Sequence, residues 1–204
     1  MITCILLSAG ASERFGSPKA LASLWGTPVI VHIQTALLQT SCDKIIVVLG
    51  AQADQIQPSI FIHSRIRVVY NKNHYFGQAS SVQAGWREAD ISSKGVLLLP
   101  VDCPLVAASS IDKIIDYFGK HDPDILVPSY QNKKGHPPIF HQRLKSKVLN
   151  LPKDQGLNSL FAQHPPQTVD IDDEGIVKSF NTPQELEKII SGFPTKTFGN
   201  DEQL

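Results

Sequence analysis

Short, almost unbroken apolar runs alternate along this chain with longer amphipathic ones, and that alternation narrows the available folds more than any other feature. The runs "ITCILLS", "KIIVVLG", "RIRVVYN", "GVLLLPV" and "DILVPS" are rich in aliphatic and β-branched residues. Between them, "VIVHIQTALLQ", "ASSVQAGWREA" and "SSIDKIIDYFGK" repeat apolar positions at helical spacing. Strands without polar alternation are buried on both faces, so helices must cover the sheet on each side and crossovers must join parallel neighbours. An α/β layered fold with a mostly parallel central sheet is expected. "ILLSAG" is its central strand, and the carboxyl ends of the strands place Gly10, Asn71 and Asp102 near one rim.

After about residue 130 the rhythm changes. "KKGHPPIFHQRL" carries a turn, a Pro pair and a short strand, and "TVDID" and "IVKSF" read as two strands flanking the turn signal Asp173, Glu174, Gly175. "TPQELEKII" begins a helix, with Thr182 as N-cap, Pro183 at the first helical position and Glu185 three residues after the cap. Residues 1–192 are expected to form one domain and residues 193–204 a polar tail.

Lys and Arg total 19 against 19 Asp and Glu, so nothing favours a partner bound by bulk charge, nucleic acid included. The three cysteines, Cys4, Cys42 and Cys103, are scattered and lack CxxC spacing, which disfavours a disulfide framework or a zinc site and fits a reducing cytoplasm. No stretch has the pattern of an export signal or a membrane span.

The first strand runs into "LSAGASERFGSPK". The spacing fails G-x-x-x-x-G-K-[ST] and also G-x-G-x-x-G, which disfavours a Walker-type phosphate loop and the dinucleotide fingerprint. Ala9 and Gly10 still let the backbone approach a ligand, and Arg14 and Lys19 supply fixed charge. The string resembles the signature L-x-(A/G)-G-x-(S/G)-x-R-(M/F)-G-x-x-K of the nucleotidyltransferases related to molybdenum-cofactor guanylyl- and cytidylyltransferases. Four further stretches, "YFGQASSVQAGW", "LLLPVDCPLV", "KKGHPPIFHQRL" and "FNTPQELEKI", resemble the family's other segments in order, over roughly residues 2 to 190.

The resemblance implies a Rossmann-like, three-layer α/β/α nucleotidyltransferase fold. It also implies transfer of a nucleotidyl group from a nucleoside triphosphate to a phosphorylated acceptor, with release of pyrophosphate. Such a reaction needs positioning and charge neutralisation, and a phosphomonoester acceptor, with a second pKa of about 6, needs no general base. Arg14 and Lys19 are implied to hold the β- and γ-phosphates. Leu7, Ser8, Ala9, Gly10, Gly16, Gln78, Ser80 and Ser81 are implied to line the nucleotide, with Gly77 shaping the same wall; the two serines also read as a helix start.

Asp102 ends a very apolar strand, where an unpaired carboxylate is costly, and Mg²⁺ joins one or two carboxylates to substrate phosphates; Asp102 is therefore the expected metal ligand. Asn181 stands where related enzymes carry Asp or Asn near a metal contact, and it is equally an ordinary turn residue. Gly135, His136 and Asp154 are implied to border the acceptor. Ala9-Gly10, where the guanylyl branch usually has Gly-Gly, and Gly135, His136, Pro137 and Phe140 in G-H-P-x-x-F favour CTP over GTP, although Ser8 replaces the usual Ala. Molybdopterin, which ends in a phosphomonoester, is the foremost acceptor, with an apo-molybdoenzyme or a maturation chaperone as a further partner. Two alternatives stay open: transfer to a sugar, isoprenoid-precursor or lactate phosphate, and an inactive protein that binds or delivers a cofactor.

Overall fold

The computed structural model describes residues 1–193 of the 204-residue chain. Beyond Phe193 the tail expected over residues 193–204 lies outside the described residues. The chain opens with β1 (Ile2–Ser8), a small hairpin of β2 (Ser23–Leu24) and β3 (Thr27–Pro28), and α1 (Val29–Leu38). Next come β4 (Lys44–Leu49), the short α2 (Ala53–Ile56), β5 (Ile66–Tyr70), α3 (Gln78–Glu88), β6 (Gly95–Pro100) and α4 (Ala108–His121). The last part holds β7 (Ile125–Tyr130), β8 (Lys133–Lys134), β9 (Ile139–His141), α5 (Lys145–Leu149), β10 (Gln167–Asp170) and α6 (Pro183–Gly192).

Among the described residues, eight strands form one sheet in the order β10-β7-β9-β6-β1-β4-β5, with β8 paired to β7. Pairings of β1 with β4 and β6, of β4 with β5, and of β7 with β10 are parallel. Only β8 and β9 run antiparallel to their neighbours, β9 being inserted between β6 and β7. Strand β1 is internal, as its composition requires: every one of its residues is buried.

Its side chains divide alternately between two cores, which is the period-2 geometry of a strand covered on both sides. Ile2, Cys4 and Leu6 join a core that includes Ile33 of α1, Ile114 of α4 and Ile189 of α6. Ile5 and Leu7 pack on the other face with Val82 and Trp86 of α3 and Val148 of α5. The sheet is thus a middle layer between α1, α4 and α6 on one side and α3 and α5 on the other.

The start of α6 follows the sequence. The backbone N–H of Glu185 donates to Thr182 Oγ1 at 3.3 Å, Pro183 occupies the first turn, and the Asn181 N–H donates to Glu185 Oε2 at 2.5 Å. The expected strand "IVKSF" is a correction. Glu174–Val177 is a 3-10 turn, and β10 pairs in parallel with β7 rather than in a hairpin. The cause is Asp173, whose Oδ1 accepts from Gly175 N at 2.9 Å and whose Oδ2 accepts from Ala107 N at 3.0 Å, drawing the segment onto the loop after β6.

Candidate active site

The carboxyl ends of β1 and β6, together with residues before and at the start of α3, line one cleft of about 870 Å³. Leu7, Ser8, Ala9 and Gly10 form its floor where β1 ends. A Cβ built on Gly10 meets no atom within 4 Å, so this part of the floor is open space that a ligand can approach. The Ser8 hydroxyl is buried there without a hydrogen-bond partner. The loop beyond is a closed turn: Phe15 and Gly16 donate to the Ser12 carbonyl at 2.9 and 3.1 Å, and Gly16 has a φ of +80°. Gly16 itself lies outside the lining.

This turn brings its two cations to Asp102 and Asn181, more than eighty residues away in sequence. Lys19 Nζ donates to Asp102 Oδ2 at 3.2 Å, to Asn181 Oδ1 at 2.9 Å and to the Phe180 carbonyl at 3.4 Å. Arg14 Nη2 donates to the same Asn181 Oδ1 at 3.1 Å. Phe15 packs edge-on against Phe180, 5.5 Å between centroids, and the Lys19 ammonium stands 5.9 Å from that ring, which ties the loop to the segment before α6. Asp102 and Asn181 therefore direct oxygens towards one cation, the donor chemistry that a hard divalent ion selects. Among the described residues no three His, Cys, Asp or Glu side chains form a metal-holding group, so an ion here would complete its shell with substrate oxygens and water.

The opposite wall follows β5. Asn71 Nδ2 donates to Ser80 Oγ at 2.9 Å and to Ser81 Oγ at 3.0 Å, fixing the start of α3. Gln78 and Ser81 line the cleft, and so does Gly77, the N-cap residue of α3. Ser80 does not: its hydroxyl donates back to the Asn73 and Gly77 carbonyls at 2.9 and 2.8 Å. Neither serine is the N-cap, because the helix begins at Gln78 and its N-cap is Gly77.

The three acceptor-side residues fall outside the lining. A Cβ at Gly135 would stand 2.4 Å from the Ile176 carbonyl oxygen, so this glycine serves close packing. Next to it, the His136 N–H donates to that carbonyl at 2.8 Å. Burial pushes the His136 imidazole below its ordinary pKa, and the Asp102 carboxylate opposes that shift, so the ring lies within electrostatic reach of the site. Asp154 is exposed, and its neighbour Lys153 holds Nζ 4.0 Å over the Phe76 ring. Cys103 is buried beside Asp102; burial pushes its thiol up and the carboxylate adds to the effect, which makes it a packing residue rather than a nucleophile. His74 and Tyr75 also line the cleft, and the sequence reading had missed them. The available signal was the aromatic triplet "HYF" immediately before "GQASS".

The class is that of the MobA-like nucleotidyltransferases, as the family match shows. Residues 4–169 match the family described as the MobA-like NTP transferase domain, and the chain belongs to that family. It is similar to nicotine blue oxidoreductase of Paenarthrobacter nicotinovorans, 24% identical over 201 residues that cover 93% of this chain and 96% of that protein. It is also similar to the molybdenum cofactor cytidylyltransferase of Escherichia coli strain K12, 23% identical over 187 residues covering 91% and 93%. Among solved structures, Rv0371c from Mycobacterium tuberculosis H37Rv superposes with a TM-score of 0.81 at 25% identity, covering 93% of this chain and 98% of that one. Its complex with manganese gives a TM-score of 0.78 at 23% identity, covering 94% and 99%. The relatives' names include an oxidoreductase beside a cytidylyltransferase, so the substrate has to be read from the site.

Proposed function

We propose that this chain, with residues 1–192 as one domain, is a cytoplasmic cytidylyltransferase. It would transfer CMP from CTP to a phosphorylated cofactor, with molybdopterin as the acceptor and Mg²⁺ as the metal. The observation that carries this reading is the meeting of Arg14, Lys19, Asp102 and Asn181 at one end of the cleft. The acceptor phosphate oxygen attacks the α-phosphorus, a P–O bond forms, the bond to the β-phosphate oxygen breaks, and pyrophosphate leaves with the electron pair. Arg14 and Lys19 hold the β- and γ-phosphates and neutralise the charge that grows on the leaving group. Asp102 and Asn181 would hold the divalent ion. When bound, that ion supplies charge neutralisation at the phosphates.

The Ala9-Gly10 floor supports CTP through the extra methyl beside Gly10. The buried, unpartnered Ser8 hydroxyl supports a polar ligand above it. No protein nucleophile or general base is required, because the acceptor phosphate is largely dianionic at neutral pH, with a second pKa of about 6.

The test is pyrophosphate release with Mg²⁺, molybdopterin and either CTP or GTP. Release is expected with CTP, and Lys19→Ala is expected to lower the turnover number by about 10²- to 10³-fold, the scale of losing one charge-stabilising donor. Turnover with GTP alone would reverse the base assignment. Binding of CTP without any release in the presence of molybdopterin would remove that acceptor.

A further inference from the structure

We propose that Tyr75 is the platform on which the nucleobase of the triphosphate stacks, a role that rests on the nucleotide-binding reading above. Along the carboxyl rim the strand order is β6, β1, β4. Asp102 follows β6, whereas the His74–Phe76 turn packs on the end of β4: a Cβ built on Gly50 would stand 2.8 Å from His74 Cβ and 2.4 Å from the Ala9 carbonyl oxygen. Two strand spacings, about 10 Å, therefore separate the phosphate end of the cleft from the aromatic end. A nucleoside triphosphate anchored by Arg14 and Lys19 carries its base across Ala9 and Gly10 towards Tyr75.

The ring is held as a platform requires. Tyr75 lines the cleft yet is 68% exposed, whereas its surroundings are fixed. The Phe76 ring lies 4.4 Å away between centroids, and the His74 ring lies 5.9 Å away at 82°. Tyr75 Oη donates to Asn73 Oδ1 at 3.4 Å, and Phe76 is itself covered by the Lys153 ammonium. An aromatic ring supported by its neighbours but open to the cleft gains from being covered by another flat ring. Stacking accepts every base, so Tyr75 adds affinity without choosing among them, and the choice falls to the polar groups around Ala9, Gly10 and Ser81.

The experiment is calorimetric titration of the full chain with CTP, GTP and inorganic triphosphate, in the wild type, Tyr75→Leu and Tyr75→Phe. Base stacking on an aromatic ring predicts that Tyr75→Leu loses about 5- to 150-fold in affinity for both nucleotides. Tyr75→Phe should bind them as the wild type does, and inorganic triphosphate should bind all three proteins equally. Unchanged nucleotide affinity in Tyr75→Leu overturns the stacking role and leaves nucleotide binding standing. An equal loss of inorganic triphosphate affinity in that variant also overturns it, because the ring would then be shaping the whole cleft. A wild-type protein that binds inorganic triphosphate but neither nucleotide overturns both the stacking role and the reading beneath it.

Discussion

Lys19 Nζ donates to oxygens of Asp102, Asn181 and Phe180, and the Asp102 carboxylate, at the end of an apolar strand, has in it the cation that its partial burial demands. His136 is the contrary case, a titratable ring whose charged form is penalised. Burial lowers its pKa, and the attraction of Asp102 only opposes the effect. The folded state therefore binds that proton less readily than the unfolded chain, where histidine titrates near about 6.5. Stability from keeping His136 neutral is fully present above that pH and is lost as the pH falls below it. We expect the melting temperature to decline between pH 7.5 and 5 less steeply in His136→Gln than in the wild type; parallel slopes would contradict a neutral, partly buried His136. His141, also lowered by burial, contributes equally to both proteins. Arg14 and Lys19 were singled out through the motif resemblance of their loop and Asp102 as a carboxylate ending an apolar strand, and the structure brings the three together. Tyr75 was not, since the one signal, its place in "HYF" just before "GQASS", does not by itself tell an aromatic residue that points into a cleft from one that packs in the core.

At the scale of elements, α3 links the cleft wall to the inserted strand β9. Trp86 is fully buried, stands 6.4 Å from Phe140 of β9 between ring centroids, and donates Nε1–H to Gln142 Oε1 at 2.9 Å. Removing it opens a large cavity and leaves Gln142 without its donor, so Trp86→Ala should cost about 3 to 5 kcal/mol in urea unfolding. A loss below about 1 kcal/mol would mean that α3 is held mainly by other contacts. The long, periodic elements α1, α3 and α4 and the apolar strands β1, β4 and β6 were readable because one periodicity dominates each. The region after β7 was harder. Its strands β8, β9 and β10 span two, three and four residues, so the short strand in "KKGHPPIFHQRL" and the strand "TVDID" were readable from composition, but their pairing was not. "IVKSF" has strand composition, but the Asp173 hydrogen bonds override it. The acceptor-side residues show the same limit, since Gly135 is explained by its close approach to Ile176, a contact no local pattern reveals.

In the molecule as a whole the two rims of the sheet differ in purpose. At the amino ends of β6 and β7, Lys94 holds Asp122 at 2.7 Å, Arg143 reaches both Asp122 and Asp124, and His164 Nδ1 stands 2.6 Å from Asp124. Lys94 and Arg143 hold the Asp122 carboxyl below its usual range, and His164 and Arg143 do the same for Asp124. These ion pairs clasp the strand starts, and the cleft opens at the opposite, carboxyl rim, where ligand sites of open α/β sheets lie. Among the described residues no helix is long and apolar enough to cross a membrane. A ligand that binds only the folded chain raises its stability by about 2.7 kcal/mol at a hundred times its Kd. The most direct test is therefore the melting temperature with Mg²⁺ and each of CTP, GTP, ATP and UTP, for the wild type and Asp102→Ala. A rise with CTP that shrinks in Asp102→Ala is the predicted result, and no rise with any of the four nucleotides would contradict a nucleotide site at this rim.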